Sequence, residues 1–217
     1  ASRHQKEWGS SLIGELSLGG DEKILDLGCG DGVLTEQLSE LVPDGKVVGI
    51  DASAGMIAEA QSRSKPNLTF VQMDINSFRA LKDGGRLLWD FAGDGNCSNF
   101  FAVIRKEMES EEYRQYFKEF EWPWYMPSRE EYAKTVVASG FSSYGITEVN
   151  RDRFFSDADE MIRRIDQPSI VPFIKVLPEG AKEKFRDEVV RAMLERALQA
   201  DGTCFETFRR IHVRADK

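Results

Sequence analysis

The run ILDLGCGDGVLT, residues 24–35, breaks from an apolar stretch into three glycines on alternate positions, Gly28, Gly30 and Gly32. Glycines so spaced let a backbone turn sharply and come close to a ligand. The dinucleotide fingerprint G-x-G-x-x-G is not met, because the third glycine falls one position early. No Lys-Ser or Lys-Thr pair follows to make a phosphate loop. Acids stand there instead. Asp26 precedes the turn and Asp31 lies inside it, a poor setting for a pyrophosphate and a good one for a cation. Asp51 ends the next apolar run, placed to accept both ribose hydroxyls of a nucleoside. Asp74 and Ile75 follow a third run, where an acid and an apolar residue can bracket an adenine edge. These features together fit a nucleoside with a positively charged, phosphate-free tail.

Such residues need a frame. A chain of 217 residues can bury one sizeable core, or a core with a lid, and is short for two ordinary independent domains. Its 41% apolar and 30% charged residues are the balance of a globular protein. The net charge of −8 argues against a general nucleic-acid or acidic-membrane surface. No window approaches the roughly 18 unbroken apolar residues of a membrane-spanning helix, and the first residues show no signal-peptide pattern. A cytoplasmic protein with neither nucleic-acid nor membrane partners is expected. Cys29, Cys97 and Cys204 are widely spaced and accompanied only by His4 and His212, so no metal site or disulfide framework is expected.

Around the glycines, apolar runs at 23–27, 46–50 and 68–72 alternate with helical segments at 32–41 and 54–62. Pro43, Gly45, Pro66 and Asn67 punctuate them. That alternation predicts an α/β fold with a doubly wound parallel sheet. Downstream, the spacing predicts strands over 85–91 and 143–149 and helices over 128–138, 156–166 and 178–199. Ser128 and Glu131 form a capping-box pair for the first of those helices. A closing strand is predicted over 203–214, where side chains alternate between two unlike faces, and an amphipathic helix over 2–16 opens the chain.

With these elements placed, DLGCGDG, GIDAS and FVQMDI resemble the first three motifs of class I S-adenosylmethionine-dependent methyltransferases. LKDGGRLLW resembles the strand after that family's fourth helix, and the last two strands resemble its antiparallel edge. More narrowly, HQKEW, FAGDGN, WPWYMPSREEY, IDQPS and TCFETFRRIHVRA are similar to the group around trans-aconitate and juvenile hormone acid methyltransferases. S-adenosylmethionine is a nucleoside of the kind inferred above. The resemblance implies cofactor contacts at Asp26, Gly28, Gly30, Asp31, Gly32, Asp51, Ala52, Met56, Asp74 and Ile75. It adds Gln5, on an opening helix that folds over the cofactor. It implies methyl transfer to a small molecule, with a carboxylate the favoured acceptor and S-adenosylhomocysteine the product. N- or C-methylation of another metabolite, and cofactor binding without turnover, are the alternatives. The expected organisation is a Rossmann-like methyltransferase core over 1–150, a helical cap over 151–202 and a final core strand over 203–217, as a monomer or a homodimer.

The resemblance breaks at one place. The family carries a fourth strand and its helix between the third motif and the DGG turn, whereas here Asn76 leads directly to Ser77 and the tail of that helix. In the family's order the absent strand lies between the first and fifth, at mid-sheet. Its loss leaves two rows of backbone groups unpaired, at about 1–3 kcal/mol per buried group against a net stability of about 5–15 kcal/mol. The expectation is that the whole protein has a segment this chain omits. A true deletion and a different alignment are the other readings. The residues flanking the transferred methyl fall in that segment, so no catalytic residue is assigned.

For the acceptor, a carboxylate needs no general base, which suits a chain with two histidines and no Ser–His–Asp pattern. Trp122, Trp124 and Tyr125 lie beyond the carboxyl end of the fifth strand. They read as an aromatic wall around the substrate or as a hydrophobic plug. Arg163 and Arg164 in the cap read as a clamp for an acid, or as a solvated face paired with Asp159, Glu160 and Asp166.

Overall fold

A computed structural model describes residues 9–10, 12–73 and 83–217. They fall into two compact units, Ala1–Ala80 and Leu81–Lys217.

In the first unit, β1 (Lys23–Leu27), α1 (Val33–Leu41), β2 (Lys46–Asp51), α2 (Ala54–Ala60) and β3 (Leu68–Gln72) alternate along the chain. The strands lie in the order β1-β2-β3, all parallel, with Leu27 opposite Ile50 and Asp51 opposite Gln72. Parallel strands buried by helices need continuous apolar runs, and these have them. Leu38 and Val42 from α1 and its end, and Ile57 and Ala60 from α2, close on Val47, Leu68 and Phe70 in one core, with Ile13, Leu16 and Leu18 packed against it. The Asn67 side-chain amide donates to the Ser39 and Val42 carbonyls, satisfying acceptors that the end of α1 leaves open.

The second unit holds β4 (Arg86–Ala92), α3 (Ser98–Glu109), α4 (Arg129–Ala138), β5 (Ser143–Asn150), β6 (Arg153–Phe155), α5 (Ala158–Arg164), α6 (Val171–Ile174), α7 (Glu179–Ala197), β7 (Cys204–Glu206) and β8 (Arg209–Asp216). Its sheet runs β4-β8-β5, with β8 antiparallel to both neighbours, while β6 and β7 form a separate pair. Ile146, Ile211, Val213 and Ala215 make one face of the sheet apolar, and α4 covers it through Val136 and Tyr132. The Ser128–Glu131 capping box starts α4 as expected.

The closing strand differs from expectation. It breaks at Thr207–Phe208 into β7 and β8, because Glu206 is turned inward and almost fully buried. Its carboxylate accepts the N–H groups of Asn99 and Phe100 at 3.1 and 2.9 Å, capping the start of α3. The segment read as a mostly helical cap also contains the short strand β6.

Among the described residues β1 pairs only with β2, and β4 only with β8. Both are half-exposed along most of their length. No further described strand pairs with either of them. The Asn76–Ser77 junction itself lies outside the described residues.

Candidate functional site

β1 delivers the chain into a turn in which Gly28, Gly30 and Gly32 all take left-handed backbone, with φ of 76°, 56° and 77°. Gly32 shows why a side chain is excluded. A Cβ there would lie 2.8 Å from the Phe70 ring and 3.0 Å from the Ala60 methyl, in addition to the left-handed strain. The N–H groups of Gly28 and Cys29 donate to the Ile50 carbonyl at 2.8 and 2.9 Å, which ties the bend to the end of β2. Asp51 closes it. One carboxylate oxygen accepts the Gly30 N–H at 3.0 Å and the other the Ser53 N–H at 2.8 Å. Each oxygen keeps acceptor capacity beyond those bonds, so the group can receive two neighbouring hydroxyls at once. Asp31 accepts the Val33 N–H at 3.3 Å at the entrance to α1.

Asp26 lies beside these residues, its carboxylate accepting the Thr35 hydroxyl at 2.7 Å. Burial pushes the Asp26 carboxyl above the usual carboxylate range. The Thr35 bond opposes that shift, and the Asp51 charge adds to it. The same surroundings push the Cys29 thiol up to about 12, by burial first and then by Asp26 and Asp51. Cys29 is therefore a small packed residue and no nucleophile. Acids converging on a turn with no phosphate-binding lysine suit a cation.

Asp26, Gly28, Gly30, Asp31, Gly32, Asp51 and Ala52 thus come together at the carboxyl ends of β1 and β2, the ligand edge of a doubly wound sheet. Met56 follows in the first turn of α2, exposed. Gln5, Asp74 and Ile75 lie outside the described residues. Sequence reasoning misses Thr35 and Arg63. Thr35 is completely buried in α1 and holds Asp26, and Arg63 donates to the Asp31 carbonyl at 3.0 Å. A hydroxyl on the inner face of α1 is the only signal for Thr35. Nothing local points to Arg63.

In the second unit, Trp122 and Trp124 are half-buried and packed with Phe101 and Phe173, ring centroids 5.2–5.7 Å apart. The Arg105 guanidinium sits 4.5 Å above Trp122. Tyr125 stands 71% exposed, apart from that stack. Arg163 is exposed on α5, while Arg164 donates to the Ser169 hydroxyl at 2.7 Å and faces the Phe208 ring at 5.9 Å. A further cluster escaped the sequence. Arg210 bonds the Asp90 carboxylate at 2.7 Å across β4 and β8, with His212 3.9 Å from the same carboxylate. Alternation puts these residues on one face, but only the strand register brings them together. Among the described residues no cluster of His, Cys, Asp or Glu could hold a metal ion, and no helix is long and apolar enough to cross a membrane.

Comparison with known proteins meets the same stretch. Residues 24–88 match the methyltransferase domain family, over β1 to β4. Trans-aconitate 2-methyltransferase of Deinococcus radiodurans is 42% identical over 71 residues, which are 31% of this chain. The matched part spans only 28% of that relative's length. Among solved structures, the YcgJ protein of Bacillus subtilis superposes with a TM-score of 0.61 at 15% identity, covering 98% of each chain. Haemonchus contortus phosphoethanolamine N-methyltransferase 2, solved with S-adenosyl-L-methionine, superposes with a TM-score of 0.53 at 18% identity over 97% of this chain and 52% of its own. Both likenesses are of fold, the Rossmann-like α/β one.

Proposed function

We propose that the protein transfers a methyl group from S-adenosylmethionine to a small molecule, with a carboxylate as acceptor. The observation that carries this reading is Asp51. It ends β2 with both oxygens held by turn N–H groups and both still able to accept, the arrangement a ribose diol needs. The glycine turn and the acids at Asp26 and Asp31 supply close backbone approach and a field that favours a cation. S-adenosylmethionine, when bound, supplies a methyl already activated on a sulfonium. The chain's own residues then hold the nucleoside at Asp51, Ala52 and Met56, shape the tail's path along Gly28–Gly32, and keep the acids that offset its positive charge. A carboxylate acceptor arrives ionised, so alignment and exclusion of water are the remaining demands and no base is needed. The trans-aconitate relative supports an acid acceptor. Trp122, Trp124, Tyr125, Arg163 and Arg164 are the proposed acceptor residues. The three buried free cysteines fit a reducing compartment, and we place the protein in the cytoplasm.

Calorimetry with S-adenosylhomocysteine tests the cofactor half. Asp51→Ala is expected to weaken binding at least about tenfold, or about 1.4 kcal/mol. Unchanged affinity removes Asp51 from the site. A labelled-methyl assay over a panel of carboxylic acids tests the acceptor half, and charge reversal at Arg163 or Arg164 should raise the KM for an acid. A second reading, cofactor binding without turnover, is favoured by β1 and β4 each having a single strand neighbour among the described residues. Binding with no methylated product from any acid would support it.

A further inference from the structure

The glycine turn is braced from behind. After α2 the chain makes a single 3-10 turn, Gln61–Arg63, and Arg63 reaches back from it. Its Nε donates to the Asp31 carbonyl at 3.0 Å, and its Nη1 to the Glu36 carboxylate at 2.9 Å. Glu36 stands in the first turn of α1 and also takes Lys65 at 3.1 Å, which reaches on to Glu40. One guanidinium therefore joins the acidic residue of the turn to the helix that follows it.

A turn with three left-handed residues has many ways to relax, and ordering it on ligand binding costs affinity. A carbonyl already fixed by a planar two-pronged donor has fewer. An ammonium presents a point charge with no fixed fork, so lysine holds the two acceptors less firmly. We propose that Arg63 is a positioning residue of the glycine turn, fixing Asp31 and the Gly30–Gly32 backbone before a nucleoside cofactor arrives. The proposal rests on the cofactor reading above. Arg63 itself is given no ligand contact.

Calorimetry with S-adenosylhomocysteine on the full chain tests it, alongside thermal unfolding of the ligand-free proteins. Arg63→Met is expected to raise the Kd at least about fivefold, the scale of one lost charge-assisted hydrogen bond, and Arg63→Lys to recover part of that. Lys65→Met breaks into the same Glu36 cluster without touching the turn and should leave the Kd within about twofold. Both methionine variants should lower Tm to a similar extent, so a Kd change confined to Arg63 is not a stability effect. A Kd for Arg63→Met within about twofold of wild type overturns the proposal, and so does equal weakening by Lys65→Met. Should Arg63→Met fail to fold, Glu36→Ala removes the fork's second anchor and should raise the Kd; an unchanged Kd there overturns it too. Wild-type chain that gives no binding heat overturns the cofactor reading itself. That result is distinct from wild type and variants binding equally well.

Discussion

Asp26 sets the needs of the fold against those of the ligand. Its carboxyl is buried beside Asp51, which favours the neutral form in the empty protein, while a cationic ligand favours the ionised form. Because the folded value is raised, the carboxyl's contribution to stability is fully present below the ordinary aspartate value of about 4 and is lost as pH climbs through the raised one. Asp26→Asn keeps the shape and an acceptor for Thr35 without the charge. The variant should unfold about 2–4 °C higher than wild type at neutral pH, the shift for about 1 kcal/mol in a chain of this size, and the difference should shrink toward pH 4. It should also bind S-adenosylmethionine more weakly. Melting curves across that pH window check the first point, and a variant no more stable than wild type at neutral pH would contradict it. Asp26 and Asp51 were legible because strand ends next to a glycine turn can be counted off a sequence. Thr35 and Arg63 were not, because their partners depend on helix phase and on a chain reversal.

Among the elements, what is local was readable and what is long-range was not. The capping box of α4 lies within four residues and stands as expected. Replacing Ser128 by Ala should cost about 1 kcal/mol, seen as a lower denaturant midpoint with an unchanged slope. The break between β7 and β8 was invisible, since Glu206 caps a helix more than a hundred residues earlier in the chain. Cross-strand register hid the Asp90–Arg210 pair in the same way. Period counting also passed over β6, three residues being too few to show a period. At Gly32 the turn and the helix meet. Gly32→Ala must move the Phe70 ring and accept left-handed backbone, so it should lose at least about 1 kcal/mol and with it most cofactor affinity. A variant that binds as wild type does would show that the turn adapts.

For the molecule as a whole, the sequence foretold an absent strand, and among the described residues β1 pairs only with β2 and β4 only with β8. Strand edges that lack a neighbour and carry half-exposed apolar residues pair readily with other chains, and among the described residues β1 and β4 each have such an edge. The 217-residue chain should therefore self-associate with rising concentration and bind hydrophobic dyes. A dye-silent monomer in sedimentation at high concentration would argue that the edges are covered. Peptide mapping of the natural protein that finds residues between Asn76 and Ser77 would identify a segment able to cover them.

The buried thiols add a way to watch each unit open. Cys29 belongs to the first unit and Cys97 and Cys204 to the second, and burial raises all three above the ordinary thiol value. An alkylating reagent should leave the native chain unmodified and mark a cysteine only when its surroundings come apart. Pulse alkylation read by peptide mass spectrometry would then report which half gives way first. Adenosylhomocysteine should slow the labelling of Cys29 ahead of the other two.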